Sequence, residues 1–157
     1  MVVRPLSELE PPEAGRIVQV GGRAEIRRRL LDMGVVAGAV VEIQRLAPLG
    51  DPVEIRIKGY DLAIRKEEAH KIQVEVIRGS LARMAAGEKA HIVAVRVGWG
   101  MQRRLADLGL TPGTEVRMIS SGRPGPVVLE VRGSRLALGQ GVAEKLIVRP
   151  EGVEDND

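Results

Sequence analysis

"RRLLDMGVVAG" at residues 28–38 returns as "RRLADLGLTPG" at residues 103–113, and this recurrence decides how the chain is read. Arg28, Arg29, Leu30, Asp32, Gly34 and Gly38 match Arg103, Arg104, Leu105, Asp107, Gly109 and Gly113, each shifted by 75 positions. Upstream, "IVQV" at 17–20 returns as "IVAV" at 92–95 with the same shift. Downstream, Pro52, Gly59, Leu62, Ala63, Ala69, Lys71 and Val74 match Pro126, Gly133, Leu136, Ala137, Ala143, Lys145 and Val148, now shifted by 74. One residue is lost where "RLAPLGDP" faces "SSGRPGP", and a length change in a loop with the pattern intact on both sides is what a duplicated domain shows. The chain therefore reads as a tandem: a first unit at 1–75, a second at 81–150, a joining segment around "VIRGS", and an acidic tail at 151–157 expected to be disordered.

The repeated segment encodes a helix and its stop. Ile26, Leu30 and Met33 are spaced four and three residues apart, as are Met101, Leu105 and Leu108, which predicts one apolar face per helix. Gly34 and Gly109 stand where the chain leaves the helix through a left-handed residue. Val35 or Leu110 then meets Leu30 or Leu105 in a Schellman motif. "TPG" at 111–113 places Pro then Gly in a type II turn, and the first copy keeps Gly38 with Ala37 in the Pro position.

Short alternating runs flank this core. "RIVQV" and "HIVAV" precede the helices, and Val53, Ile55, Ile57 and Val127, Leu129, Val131 follow as strands with one apolar face. Gly59 and Gly133 mark tight hairpins. "KEEAH" and "GVAE" suit single helical turns. Five short strands and one inserted short α-helix per unit predict a mainly β protein of two SH3-like small β-barrels in tandem. A core of this size is marginal alone, so packing of one unit on the other is expected.

Composition removes several function classes. Cys is absent, which excludes disulfides and thiolate chemistry. No apolar run approaches the roughly 18 residues of a membrane helix, and "MVVRPLSELEPPE" does not read as a signal peptide, so a cytoplasmic location without membrane insertion is expected. Phe is absent, and Trp99 and Tyr60 are the only large aromatics, which weighs against a single-strand nucleic-acid platform. Residues 1–75 hold 12 basic and 12 acidic side chains, whereas 76–150 hold 12 basic and 5 acidic. Nucleic acid is the less favoured partner of this basic half, because the charges are spread singly and no helix-turn-helix segment is present.

No catalytic constellation stands out, and no enzyme activity is expected. "GWG" and "GQG" do not continue into a phosphate-binding fingerprint. Glu67 and His70 have a Glu-x-x-His spacing, making them the weak metal candidates for Fe(II) or another divalent transition metal. Di-iron helices need further carboxylates from facing helices, and the second copy has Gly141 and Glu144 there. His91 precedes a strand without a companion. The exposed, duplicated Arg28, Arg29, Arg103 and Arg104 are the candidate partner contacts; the competing reading pairs Arg28 with Asp32 and Arg103 with Asp107. Trp99 has Ala24 as its counterpart and is either an interface anchor or a plug between the units.

The ordered motifs "LLDMGVVAG", "PLGDP" and "KGYDLAIRKEEAHKI", and then "LADLGLTPG", "RPGP" and "RGSRLALGQGVAEKL", resemble the ferrous-iron-transport protein A (FeoA) domain. The resemblance covers residues 6–150. It implies a small cytoplasmic adaptor that binds the cytoplasmic part of a membrane Fe(II) permease GTPase of the FeoB type; from the ligand spacing, no resident cofactor is expected. Related barrels in metal-dependent repressors supply the alternative of a metal-responsive regulatory or nucleic-acid-associated module, and direct transition-metal binding is a third reading.

Overall fold

The computed structural model describes residues 3–153. The chain divides into two compact units between Ile77 and Arg78. In the first unit the order is β1 (Val3–Pro5), a 3-10 turn (Leu6–Glu8), β2 (Ala14–Val20), α1 (Ala24–Asp32), β3 (Val40–Leu46), β4 (Val53–Ile57), β5 (Tyr60–Ile64), α2 (Lys66–His70) and β6 (Ile72–Ser80), whose residues from Arg78 onward already belong to the second unit. In the second it is a 3-10 turn (Leu81–Arg83), β7 (Lys89–Val95), α3 (Trp99–Asp107), β8 (Glu115–Ser120), β9 (Val127–Val131), β10 (Ser134–Leu138), α4 (Gln140–Ala143) and β11 (Leu146–Pro150).

Both units are mainly β and antiparallel. The first runs in the order β6-β2-β3-β4-β5, with β1 pairing to β6. The second runs β11-β7-β8-β9-β10. The hydrogen-bonded order is an open sheet in each unit, ending at β5 and at β10. The segment expected to join the units is strand: Gly79 and Ser80, at the end of β6, pair with Val148 and Ile147. The 3-10 turns are absent from the sequence reading, although Leu6 and Leu81 recur at the same shift and are both fully buried.

Alternation works as expected within the strands. Val53, Ile55 and Ile57 point into one core, and Val127, Leu129 and Val131 into the other, none more than 2% exposed. Burying such side chains removes apolar area from water at about 25 cal/mol per Å², which is what holds so small a sheet together. Among the described residues each unit carries two helices, a nine-residue one and a short second one, where one inserted helix was expected. The β4–β5 and β9–β10 hairpins turn in two residues, with Lys58 (φ 50°) and Gly59 (φ 86°), and Arg132 (φ 51°) and Gly133 (φ 80°), all left-handed. That is a type I′ connection, whose twist matches the strands it joins. The sequence marks only the glycines; Lys58 and Arg132 hold the same strained conformation without the glycine's freedom.

Both helices end as a Schellman motif. Val35 N–H donates to Leu30 C=O at 2.9 Å and Gly34 N–H to Leu31 C=O at 3.0 Å; the second copy repeats this with Leu110 to Leu105 at 2.8 Å and Gly109 to Ala106 at 2.9 Å. Gly34 and Gly109 have φ of 93° and 92°. The apolar pairs Leu30 with Val35 and Leu105 with Leu110 are buried. The turns that follow close through Ala39 N–H to Val36 C=O and Thr114 N–H to Thr111 C=O, with left-handed Gly38 and Gly113 at the third position.

Of the tail expected at 151–157, residues 154–157 lie outside the described residues. Residues 151–153 are not loose: Glu151 N–H donates to Lys89 C=O at 2.9 Å, and Val153 is buried. An apolar side chain at 153 gives the chain a reason to fold back that the surrounding acids conceal.

Candidate interaction surface

Each helix lies on its sheet through one leucine and turns its arginines outward. On α1, Leu30 is fully buried, Ile26 and Met33 pack partly against the same core, and Arg28 and Arg29 are exposed. Arg29 forms an ion pair with Glu68 of α2, whose side chain is only 7% exposed. Glu68 also accepts from Arg65 N–H at 2.9 Å, the reciprocal bond of a capping box at the start of α2. The Tyr60 hydroxyl donates to Met33 C=O at 2.5 Å, over the end of α1.

On α3 the same positions are arranged differently. Leu105 is buried, but Met101 and Leu108 are 36% and 49% exposed and stand outside the core they were expected to join. The apolar face predicted for this helix is thus one leucine wide. Arg103 and Arg104 are exposed. The Arg103 guanidinium lies 4.8 Å from the centre of the Trp99 ring, one helical turn away, a cation–π contact. Trp99 is 73% exposed. Neither Arg28 with Asp32 nor Arg103 with Asp107 forms an ion pair, consistent with the weaker orientation of that spacing.

The weak metal candidates are separated from any ligand set. Glu67 and His70 are exposed on the five-residue α2, and His70 Nδ1 is 3.3 Å from Ser7 Oγ. A groove of about 290 Å³ beside them is lined by Arg23, Lys71, Glu67 and Glu68 over Ile26 and Leu30. Among the described residues no three His, Cys, Asp or Glu side chains gather as a metal site would require. His91 is half-buried on β7, opposite Arg149 and Glu115 of its neighbouring strands.

Away from the helices the first unit pairs its charges along the strands. Arg45 holds Glu54 and Arg56 holds Asp61. The hydrogen bond from Arg45 keeps the Glu54 carboxyl below the usual carboxylate range and raises Arg45 in return. In the second unit Arg117 pairs with Glu130 at 3.4 Å. Among the described residues no helix is long and apolar enough to cross a membrane.

These features define a tandem of two small antiparallel β domains, each presenting a helix with outward arginines. The chain belongs to the FeoA domain family, whose family model matches residues 4–76 and again 79–150. It is similar to an Fe(2+) transport protein A/Fe(2+) transporter FeoB fusion protein of Porphyromonas gingivalis, at 46% identity over 72 residues. That stretch is 46% of this chain and only 8% of the fusion protein. It is also similar to a putative Fe(2+) transport protein A of Methanocaldococcus jannaschii, 32% identical over 68 residues, which are 43% of this chain and 82% of that protein. Among solved structures, iron(II) transport protein A from Clostridium thermocellum matches with a TM-score of 0.57 at 32% identity, over 98% of this chain and 93% of the other.

Proposed function

We propose that this chain is a cytoplasmic accessory protein of ferrous iron uptake that binds the cytoplasmic part of an Fe(II) permease of the GTPase type. The observation that carries this reading is the Porphyromonas gingivalis fusion, in which a segment 46% identical to part of this chain shares one polypeptide with the transporter. Two partners joined in one chain are held at a high effective concentration, which is useful only if they meet. Each unit serves as an SH3-like small barrel that carries its helix as a contact element, with Arg28, Arg29, Arg103, Arg104 and Trp99 as the contact residues. Iron is cargo of the permease in this scheme; the chain performs no catalysis and holds no resident metal.

The test is anaerobic binding of the purified chain to the detergent-solubilised Fe(II) permease of the same organism, with calorimetric titration of Fe(II) into the chain alone alongside. Saturable binding to the permease with a silent metal titration is expected. A clear Fe(II) titration with no permease binding refutes the adaptor reading and turns attention to Glu67 and His70.

A further inference from the structure

The two copies differ in what covers their helices. Ile26, Arg29 and Met33 lie three and four residues apart on one flank of α1, as Met101, Arg104 and Leu108 do on α3. In the first unit this strip is partnered from within: Glu68 takes the Arg29 guanidinium, Tyr60 bonds to the Met33 carbonyl, and Ile26 and Met33 pack partly against the core. In the second unit both covering residues are gone. Val142 stands where Glu68 would be and Ser134 where Tyr60 would be. Among the described residues Arg104 has no ion-pair partner, and Met101 and Leu108 are left 36% and 49% exposed.

From this we infer that the Met101–Arg104–Leu108 strip of the second unit is the docking surface, and that its occupant is a protein segment presenting a carboxylate between apolar or aromatic side chains. The first unit displays the complement: a carboxylate on the arginine and an aromatic hydroxyl over the helix end. An unpaired guanidinium between two exposed apolar side chains is the composition that interfaces favour, with Met and Arg enriched. A carboxylate seated there gains a charge-assisted hydrogen bond without disturbing any existing pair. Tandem duplication then has a division of labour, in which the first unit's helix is self-satisfied and the second is open. The inference rests on the adaptor reading and places its contact on one unit.

The experiment measures the affinity of the full chain for the solubilised permease, comparing wild type with Arg104→Glu, Ser134→Tyr and Lys89→Glu. Ser134→Tyr restores the aromatic cover at an exposed position, and Lys89→Glu makes the same charge change on an exposed strand residue of the same unit. Arg104→Glu and Ser134→Tyr are expected to weaken binding at least about tenfold, the loss typical of a central contact. Lys89→Glu is expected to stay within about threefold, as surface changes away from a contact do. Circular dichroism melts check that each variant is folded. Wild-type binding that survives both Arg104→Glu and Ser134→Tyr refutes the placement while leaving the adaptor reading intact. No wild-type binding refutes both. Binding of a duplex DNA oligonucleotide that Arg104→Glu abolishes, without permease binding, refutes the protein occupant in favour of nucleic acid.

Discussion

Gly109 and Gly100 lie nine positions apart, and replacing each by Ala is expected to change stability in opposite directions. Gly109 holds φ 92° at the end of α3, where an added Cβ finds Val131 Cγ1 at 3.5 Å and Arg132 Nε at 3.6 Å, ordinary contact distances. The cost is therefore backbone strain alone, about 1–3 kcal/mol for a non-Gly residue held at such an angle. Gly34→Ala carries the same strain and adds a crowded contact, its Cβ falling 3.0 Å from the Tyr60 hydroxyl. It is expected to cost a few tenths of a kcal/mol more as that hydrogen bond shifts. Gly100 sits in the first turn of α3 with nothing within 4 Å of its added Cβ. Gly100→Ala is expected to stabilise by about 0.5 kcal/mol, because Ala loses less backbone freedom on folding. Urea unfolding of each variant against wild type, fitted by linear extrapolation, reads these differences directly. A Gly109→Ala variant as stable as wild type, or a Gly100→Ala variant that loses stability, refutes the account of how this helix starts and stops.

Leu30→Ala and Leu105→Ala, at 0% and 2% exposure, are each expected to cost about 2–5 kcal/mol by denaturant melts. Glu68→Ala is expected to destabilise the first unit by about 1–2 kcal/mol, since it removes the reciprocal bond to Arg65 N–H as well as the Arg29 pair; faster amide exchange over α2 checks it. Val142→Ala, at the corresponding position of the second unit, touches no capping bond and is expected to cost only its lost methyl burial. The Glu54 carboxyl is held low by the Arg45 hydrogen bond, so its contribution is complete above its unfolded value and is lost as pH falls through the lowered folded value. Glu54→Gln should therefore flatten part of the acid limb of stability against pH, weakly because the pair is exposed.

The helix ends were legible because a Schellman motif is local. Its hydrogen bonds, its left-handed glycine and its apolar pair all lie within six residues, so Leu30, Gly34 and Val35 announce the motif by spacing alone. The same holds for Gly38 and Gly113 in their turns, and for alternation in β4 and β9. The amphipathic face of α3 was read too widely, because spacing assigns Met101 and Leu108 to the side of Leu105 but says nothing about whether the sheet beneath extends far enough to cover them. The arginines were picked out as exposed and duplicated, yet nothing local separates Arg29 from Arg104. The 3-10 turns went unread because each is three residues long and has no period to detect.

By itself, then, the sequence determined the duplication, the helix stops, the hairpin positions and the strand faces, since each follows from steric and hydrogen-bonding preferences acting over a few residues. Only the tertiary structure decided which arginine is satisfied. Glu68 lies 39 residues from Arg29 and Tyr60 lies 27 from Met33, and they arrive over α1 only after the sheet has turned β5 and α2 back onto it. A charge pair or a covered apolar side chain is a property of distance in space, and chain separations of that length carry no local preference from which to infer it.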